Sequence, residues 1–352
     1  MPAPEFLLAP MDGMTRAAFR SVCFDYGADG ATTEMIQSLA FGRAKKPVGP
    51  ALRETLTRYP NERNLAAQLI GSDPAAMAES ARRLEALERF DAIDINMGCP
   101  ARKVVGSGNG AALLKDPDRA MAVMAAVKSA TSLPVRLKLR LGWDSEHITA
   151  PLLVEAAQAL GFQSVTVHGR TRAQMYLGPV DTAAIRAICD AVRIPVYANG
   201  GVTCARDALT FLRETRADGV VIGRAALKAP WIFEDIAALR RGEAVAPRQA
   251  PERVALLIRL ATLTCGHRPE GVAICEMRRF CAWMLSGLTG CDAVLEKLNA
   301  VLTLEAFRAL LEDYLEALAL AGDLDVHPER SPRMTLDTVT HRQPRRTAKW
   351  TK

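Results

Sequence analysis

The sequence predicts a (β/α)₈ TIM barrel followed by a small all-helical bundle. Eight short apolar segments alternate with amphipathic ones over roughly 240 residues, close to the ~250 of a typical barrel. A stretch with two prolines then interrupts the pattern at 242–251, and helical periodicity alone follows it. A doubly wound open sheet is the competing architecture, but no GxGxxG motif follows the first strand. We therefore expect a barrel domain over 1–242, a helical domain over 251–322 and a separate tail over 327–352.

The eight predicted strands are short apolar or β-branched runs bounded by Gly, Pro or Asn. They are Glu5–Ala9, Gly30–Thr33, Asn64–Ile70, the run that begins at Asp91, Pro134–Leu139, Ser164–His168, Pro195–Ala198 and Asp218–Ile222.

The barrel helices are predicted from amphipathic periodicity together with amino-terminal signals. Thr15 is expected to cap a helix that runs to Tyr26, and Asp73 followed by Pro74 is expected to begin another. A further helix is predicted from Met35 onward. The remaining predicted barrel helices are Pro117–Lys128, Pro151–Leu160, Thr182–Ala191 and Cys204–Arg213. The bundle is expected to contain Glu252–Cys265, Val272–Leu288, Asp292–Leu302 and Leu304–Ala321.

Composition places the chain among ordinary soluble globular proteins, with 49% hydrophobic and 24% charged residues. No apolar run reaches the ~18 residues of a membrane span, and the amino terminus has no basic region of a signal peptide. Eight scattered cysteines without a CxxC pair indicate reduced thiols and no metal site. We expect a cytoplasmic protein, and a monomer because no exposed apolar stripe stands out.

Charge is concentrated at the carboxyl terminus. Residues 327–352 contain seven Lys or Arg and two acidic residues, while the net charge of the whole chain is only +6. The remainder is close to neutral, so an anionic partner must be met by local patches or by this tail. We expect the tail to be disordered.

Cys99 is the first candidate for chemistry. It lies between Gly98 and Pro100, where a predicted strand ends and a Gly-rich loop begins. Barrels place functional groups at such strand ends. The thiol could be a nucleophile, an acid or a metal ligand, and a small buried hydrophobe is the alternative.

Polar residues occur at the carboxyl ends of the other predicted strands as well. They are Met11 with Asp12, Gln68, Asn96, Lys138 with Arg140, His168 with Arg170, Asn199 and Arg224. Glycines follow the last two strands, where barrels commonly bind phosphate. Gly200 and Gly201 follow one strand, and Gly223 follows the other. Lys138 could stabilise negative charge on an electron-deficient ring. This set fits a phosphate-bearing redox cofactor better than a metal.

Six motifs occurring in order resemble those of bacterial tRNA-dihydrouridine synthases of the B and C subfamilies. They are LAPMDG, NMGCPARKV around Cys99, LKLRLGW, VHGRTRAQMY, ANGGV and IGRAALKAPWIF, within a similarity that covers Leu7 to Leu318. The resemblance implies an FMN-dependent oxidoreductase, reduced by NADPH, that passes hydride to C6 of a uracil in the D-loop of tRNA. Cys99 would protonate C5.

The resemblance also implies a role for each site residue. Pro10, Met11 and Asp12 would lie at the flavin ring, with Gln68, Lys138 and His168 at its edge. The ribityl phosphate would be held by Asn199, Gly200, Gly201, Gly223 and Arg224. Asn96, Arg170 and Tyr176 would serve the substrate base, and Arg278 and Arg279 the RNA. Ile274 and Glu276 stand where family members often carry a basic residue, so the register of the RNA is left open.

Two other functions remain open at this point. A flavin barrel acting on a free small molecule, such as a dihydroorotate-type dehydrogenase, would share the phosphate residues but would not need the helical domain. A catalytically silent RNA-binding barrel would not need Cys99, Lys138 or Gln68.

Overall fold

The strands form a closed parallel barrel in the computed structural model, which describes residues 3–43 and 49–327. Within those residues the strands are β1 (Glu5–Leu8), β2 (Gly30–Thr32), β3 (Ile36–Gln37), β4 (Leu65–Ile70), β5 (Ala92–Met97), β6 (Val135–Arg140), β7 (Ser164–His168), β8 (Val196–Asn199) and β9 (Gly219–Ile222). Every pairing between them is parallel. The pairing of β2 with β4 closes the ring, so the predicted barrel is confirmed.

Helices follow the strands around the outside of the barrel. They are α1 (Ala17–Asp25), α2 (Ser38–Gly42), α3 (Pro50–Thr55), α4 (Pro74–Glu85), α5 (Arg102–Val105), α6 (Pro117–Ala130), α7 (Ala150–Ala159), α8 (Thr182–Ala191), α9 (Ala205–Thr215), α10 (Arg224–Lys228) and α11 (Ile232–Arg240). A 3₁₀ helix occupies Gly110–Lys115. Aspartates cap α4, α6 and α8, because the side chains of Asp73, Asp116 and Asp181 each accept a backbone N–H three residues on.

Two local predictions about the first third of the chain are wrong. Arg16, and not Thr15, stands at the amino-terminal cap of α1. The Thr15 hydroxyl instead accepts from the Met11 N–H over 2.8 Å and so closes the turn that follows β1. The helix expected from Met35 begins only at Ser38, because Ile36 and Gln37 pair with the end of β4 as β3.

The interior of the barrel is unusually polar on one side. On β5 the outward-facing Ile93 and Ile95 are fully buried against helices, whereas Asp94 and Asn96 alternate with them and face inward. On β6 the residues facing the same interior are Arg136, Lys138 and Arg140. Strands of a parallel sheet are usually buried on both faces and therefore consist mainly of apolar residues. Charged residues at these interior positions are thus exceptional.

Among the described residues, those from Ala246 onward form a second compact unit, which is helical. Its helices are α12 (Ala250–Cys265), α13 (Glu270–Met284), α14 (Cys291–Leu298) and α15 (Leu304–Leu320). Fully buried Leu257, Met277 and Leu311 contribute to its core. The predicted helical region is confirmed, although α13 ends four residues before the predicted Leu288. Gly287 and Gly290 follow in the left-handed region, which is typical of a chain that leaves a helix.

The predicted disordered tail falls almost wholly on residues 328–352, outside the described ranges. Within those ranges, no helix has the length and hydropathy needed to cross a membrane. No group of three or more His, Cys, Asp and Glu that could hold a metal ion occurs in the same part of the chain.

Candidate active site

A chain of buried side chains leads from the barrel interior to Cys99. The Gln68 amide on β4 donates to the Asp94 carboxylate over 2.6 Å, and Asn96 Nδ2 donates to Gln68 Oε1 over 2.8 Å. Asn96 Oδ1 then accepts the backbone N–H groups of Gly98 and Cys99 at 3.0 and 2.9 Å. The first residues of the loop are therefore fixed to the end of β5 by side chains of two strands.

Cys99 begins a loop that turns back on itself within twelve residues. Its carbonyl accepts the Ala111 N–H over 3.1 Å, and Gly110 adopts a positive φ of 59° to allow this. A Cβ at Gly110 would lie only 3.0 Å from the Cys99 carbonyl oxygen, so glycine is required there. Burial of the thiol raises the pKa of Cys99, and the nearby Asp12 carboxylate adds to the rise. Cys99 is thus held as a protonated thiol.

Lys138 on β6 is a partly buried cation of the site. Its Nζ donates to Asn199 Oδ1 over 2.9 Å, and Asn199 Nδ2 in turn donates to the Val221 carbonyl at 2.7 Å. Burial lowers the pKa of Lys138, and the Asp94 carboxylate opposes that change. Burial likewise raises the pKa of Asp94, while its bond from Gln68 and the charge of Lys138 counteract the rise.

Two arginines hold the loops around the mouth. Arg140 donates to the carbonyls of Gly98, Thr171 and Met175 at 2.9, 2.9 and 2.7 Å. Arg170 Nε and Nη2 both donate to the Gly178 carbonyl, at 3.0 and 2.8 Å. The segment between Thr171 and Gly178 is therefore anchored at both ends.

Tyr176 lies on this anchored segment among cationic side chains. The Cζ atoms of Arg140 and Arg224 lie 5.3 and 5.0 Å from its ring centroid. Its ring meets that of His168 edge to face, with the centroids 6.5 Å apart. Because 46% of Tyr176 stays exposed, part of the ring is accessible to a ligand at the mouth.

His168 and Arg170 each contain a buried nitrogen without a partner among the described residues. These atoms are His168 Nδ1 and Arg170 Nη1. Burial lowers the pKa of His168 well below its usual value, and neighbouring Arg140 and Lys138 add to the effect, so the imidazole is neutral. Buried polar atoms nearly always have a partner, so these two nitrogens are available to a ligand at the mouth of the barrel.

The glycines expected to hold phosphate have the required shape. Gly200 and Gly201 both have positive φ, of 117° and 75°, and a Cβ at Gly200 would lie 3.1 Å from the His168 ring. In the part of the chain that the structure describes, the N–H groups of Gly200, Gly201 and Gly223 donate to no protein atom. Three amides without acceptors beside His168 and Arg224 fit an anionic group.

The loop after β1 contributes Pro10, Met11 and Asp12. A Cβ at Gly223 would lie 3.6 Å from the Met11 sulfur, which places Met11 beside the glycine that follows β9. Burial raises the pKa of Asp12, and the positive charge of Arg16 partly offsets the rise.

Arg278 and Arg279 lie on α13 of the helical unit. The Arg278 guanidinium donates to the carbonyls of Leu298 and Asn299 at 3.2 and 2.9 Å. It therefore stabilises the carboxyl end of α14, a structural task that the sequence did not indicate.

Sequence reasoning missed Asp94, the innermost member of the chain that ends at Cys99. The signal was available in the segment DAIDINMG, where a carboxylate interrupts an otherwise apolar strand. A charged residue in that position must face an interior with polar partners.

The closed barrel, with its convergent polar groups at the carboxyl ends of the strands, defines a barrel enzyme. Residues 7–319 match the family described as "Dihydrouridine synthase (Dus)". The chain belongs to the dihydrouridine synthase family and is an oxidoreductase. The family resemblance of the six sequence motifs is thereby confirmed.

Several curated relatives are similar over most of their length. The chain is 38% identical to "tRNA-dihydrouridine synthase B" of Xanthomonas axonopodis pv. citri (strain 306), over 91% of this chain and 95% of the relative. It is 43% identical to a "Probable tRNA-dihydrouridine synthase" of Rhodobacter capsulatus, over 68% and 73%. It is 37% identical to a "Probable tRNA-dihydrouridine synthase" of Rhizobium leguminosarum bv. phaseoli, over 90% and 96%. The solved structure of FabK from Thermotoga maritima covers 65% of this chain and 60% of its own at 15% identity, with a TM-score of 0.38.

Proposed function

We propose that this protein is a tRNA-dihydrouridine synthase that uses FMN, with NADPH as reductant, to reduce one D-loop uridine of tRNA to 5,6-dihydrouridine. The observation that carries the proposal is the position of Cys99. Its thiol is kept protonated by burial, on a loop held by Asn96, at the mouth of a barrel with unpaired donors for an anionic cofactor. The relatives named tRNA-dihydrouridine synthase support the choice of substrate.

The described residues fit FMN. The free N–H groups of Gly200, Gly201 and Gly223, with Asn199 and Arg224 beside them, would hold the phosphate. Pro10, Met11 and Asp12 would line the ring, with Gln68, Lys138 and His168 at its polar edge. When bound, FMN would supply the hydride that C6 of the uracil accepts.

The amides and Lys138 have distinct tasks around the cofactor and the base. Asn96 Nδ2 uses one hydrogen for Gln68 Oε1 and has a second to donate to a uracil carbonyl. Lys138 would stabilise negative charge at the polar edge of the ring, because its ammonium group lies in a partly buried site where charges interact more strongly than in water.

Cys99 would act as the general acid. Its S–H bond breaks as the proton passes to C5 on the face of the uracil opposite the incoming hydride, and the thiolate then regains a proton from solvent. A raised pKa suits this role, because the thiol stays protonated until the base is in place. The uridine must leave its stack to reach the thiol, and the exposed part of the Tyr176 ring is suited to hold the flipped base.

We also propose that the helical unit binds the RNA and that Arg279 of α13 contacts phosphate. The Arg278 guanidinium already donates to a carbonyl at the end of α14, so only its remaining N–H groups would contact RNA. A monomer in the cytoplasm, where tRNA is found, is part of the same proposal. The relatives named synthase B favour the B subfamily over the C subfamily.

The test is to incubate purified protein with NADPH and unmodified tRNA transcripts and to map dihydrouridine by position. A product at a single D-loop uridine is expected, and a Cys99→Ala variant with bound flavin is the control. If flavin is reduced but no product forms, even on native tRNA lacking only dihydrouridine, the protein is instead a reductase of small molecules.

A further inference from the structure

We propose that Asp94 is a positioning residue that holds the Cys99 loop in its working conformation through Gln68 and Asn96. The inference rests on the proposed function for its catalytic consequence, but its structural part stands on the hydrogen bonds alone. Asp94 is 3% exposed and lies two residues before Asn96 on β5, so the two side chains face the same side of the strand.

The direction of each hydrogen bond in this chain is set from both ends. At the loop, Asn96 must present its carbonyl oxygen, because Gly98 and Cys99 offer it only N–H donors. Its NH₂ group must then face Gln68, which turns the Gln68 oxygen toward Asn96. Gln68 is left presenting NH₂ to residue 94, and an ionised carboxylate can only accept.

Asp94 therefore selects one of the two amide orientations that Gln68 could otherwise adopt. If the Gln68 amide rotated by 180°, its NH₂ group would face the NH₂ group of Asn96. Asn96 would then lose its hydrogen bond to Gln68, or would have to rotate as well and lose its bonds to the N–H groups of Gly98 and Cys99. The 2.6 Å bond to a charged acceptor is stronger than a neutral one, and all three side chains are buried away from competing water.

Two substitutions separate the acceptor from the charge. Asp94→Leu removes the acceptor, whereas Asp94→Asn keeps an oxygen that can accept from Gln68. We expect Asp94→Leu to lower kcat for uridine reduction roughly tenfold or more, the size expected when a hydrogen bond to a charged group is removed. Asp94→Asn should recover most of that loss when the two variants are compared at a pH where Lys138 keeps its proton, because both substitutions remove the carboxylate charge beside Lys138.

The loop itself can be followed without substrate. The exposed Arg102 and Lys103 lie directly after the fixed part of the loop, so trypsin cleavage there, mapped by mass spectrometry, reports how often the loop opens. Cleavage should be roughly tenfold faster in Asp94→Leu than in wild type, and near the wild-type rate in Asp94→Asn. Ile95→Ala is the matched control, because Ile95 is fully buried on the same strand but faces outward.

A variant pair covers the case in which Asp94→Leu does not fold. Asn96→Asp alone places carboxylates on both sides of Gln68, so the loop should open more often. Adding Asp94→Asn reverses donor and acceptor in the two side-chain bonds at Gln68 and restores both, while residue 96 still accepts the N–H groups of Gly98 and Cys99. Trypsin cleavage after Arg102 and Lys103 should then return toward the wild-type rate.

Three outcomes would overturn the proposal. They are wild-type cleavage and kcat in Asp94→Leu, equal loop opening in Ile95→Ala, and no recovery in the double variant relative to Asn96→Asp alone. If wild-type protein forms no dihydrouridine, the proposed function fails, but the cleavage rates still decide whether Asp94 positions the loop.

Discussion

Arg140 Nε donates to the Gly98 carbonyl over 2.9 Å, so a side chain of β6 holds the residue next to Cys99. Asn96 holds the N–H groups of the same turn from β5. The same Arg140 guanidinium also holds the carbonyls of Thr171 and Met175. Two loops that come from different strands are thus tied to one buried cation.

Replacing Arg140 should loosen both loops at once. Arg140→Met leaves three carbonyls without their donor, and we expect a loss of about 2–4 kcal/mol in the free energy of unfolding. Arg140→Lys keeps the charge but cannot reach all three carbonyls, so its loss should be smaller. Urea unfolding measures the loss, and equal stability of the wild type and Arg140→Met would contradict this account.

Removing the thiol of Cys99 should abolish the chemistry and spare the cofactor. Cys99→Ala loses the proton donor, so uridine reduction should fall about 10²- to 10⁴-fold. The loop is held through the backbone of Cys99, and the substitution leaves those bonds in place. Flavin absorbance of the purified variant should therefore match the wild type, and loss of flavin would show that Cys99 has a structural role.

The basic carboxyl-terminal segment gives a prediction that depends on charge alone. Residues 328–352 contain seven basic and two acidic residues, so removing them lowers the positive charge available to RNA. The affinity for tRNA should fall, and its dependence on salt should become shallower by up to ~0.9 for each phosphate that the shortened protein no longer neutralises. Binding titrations at several salt concentrations test this, and an unchanged slope would show that the segment neutralises no phosphates.

The barrel could be predicted closely because its strands carry local signals. Gly30–Thr32 and Ser164–His168, for example, are apolar runs with Gly or Pro near their ends, and the predicted bounds differ from the observed ones by one residue or none. Parallel pairing between successive units then follows from the alternation with helices.

The internal hydrogen bonds of the site could not be predicted in the same way. A sequence shows that Arg170 and Arg278 are cationic, but not that their guanidinium groups donate to the carbonyls of Gly178 and Leu298. Those carbonyls belong to loops whose course depends on the whole fold. The role of Thr15 depends on the fold in a similar way, because closing the Met11 turn competes with capping α1.

The buried pair of Arg20 and Glu62 should dominate the stability of the first part of the barrel. Arg20 Nε lies 2.6 Å from Glu62 Oε1, and both side chains are fully buried. Arg20→Met would leave an unpaired buried carboxylate, and we expect a loss of about 3–5 kcal/mol in the free energy of unfolding. The exposed pair Arg82 and Glu79 is a matched control, because Arg82→Met should change stability little. Equal losses in the two variants would contradict the prediction.

Lys138 should control the alkaline side of the pH profile. Burial lowers its pKa, so its ammonium loses a proton at a lower pH than an ordinary lysine does. The pKa of Cys99 is raised, so the thiol keeps its proton over the same range. The kcat of uridine reduction should therefore fall as pH rises through the lowered pKa of Lys138. In Lys138→Met, kcat should be lower by about 10- to 100-fold and should not change over that range.

Stability should respond to Lys138 in the opposite direction. Between the lowered pKa of the folded state and the ordinary value of the unfolded state, the unfolded chain binds more protons at this group. The free energy of unfolding should then rise with pH across that interval, and Lys138→Met should lack this contribution. Urea unfolding at several pH values tests the predicted rise of the free energy of unfolding. The pH profile of kcat at constant flavin content tests the predicted fall of kcat. An unchanged alkaline fall of kcat in the variant would assign that fall to another group.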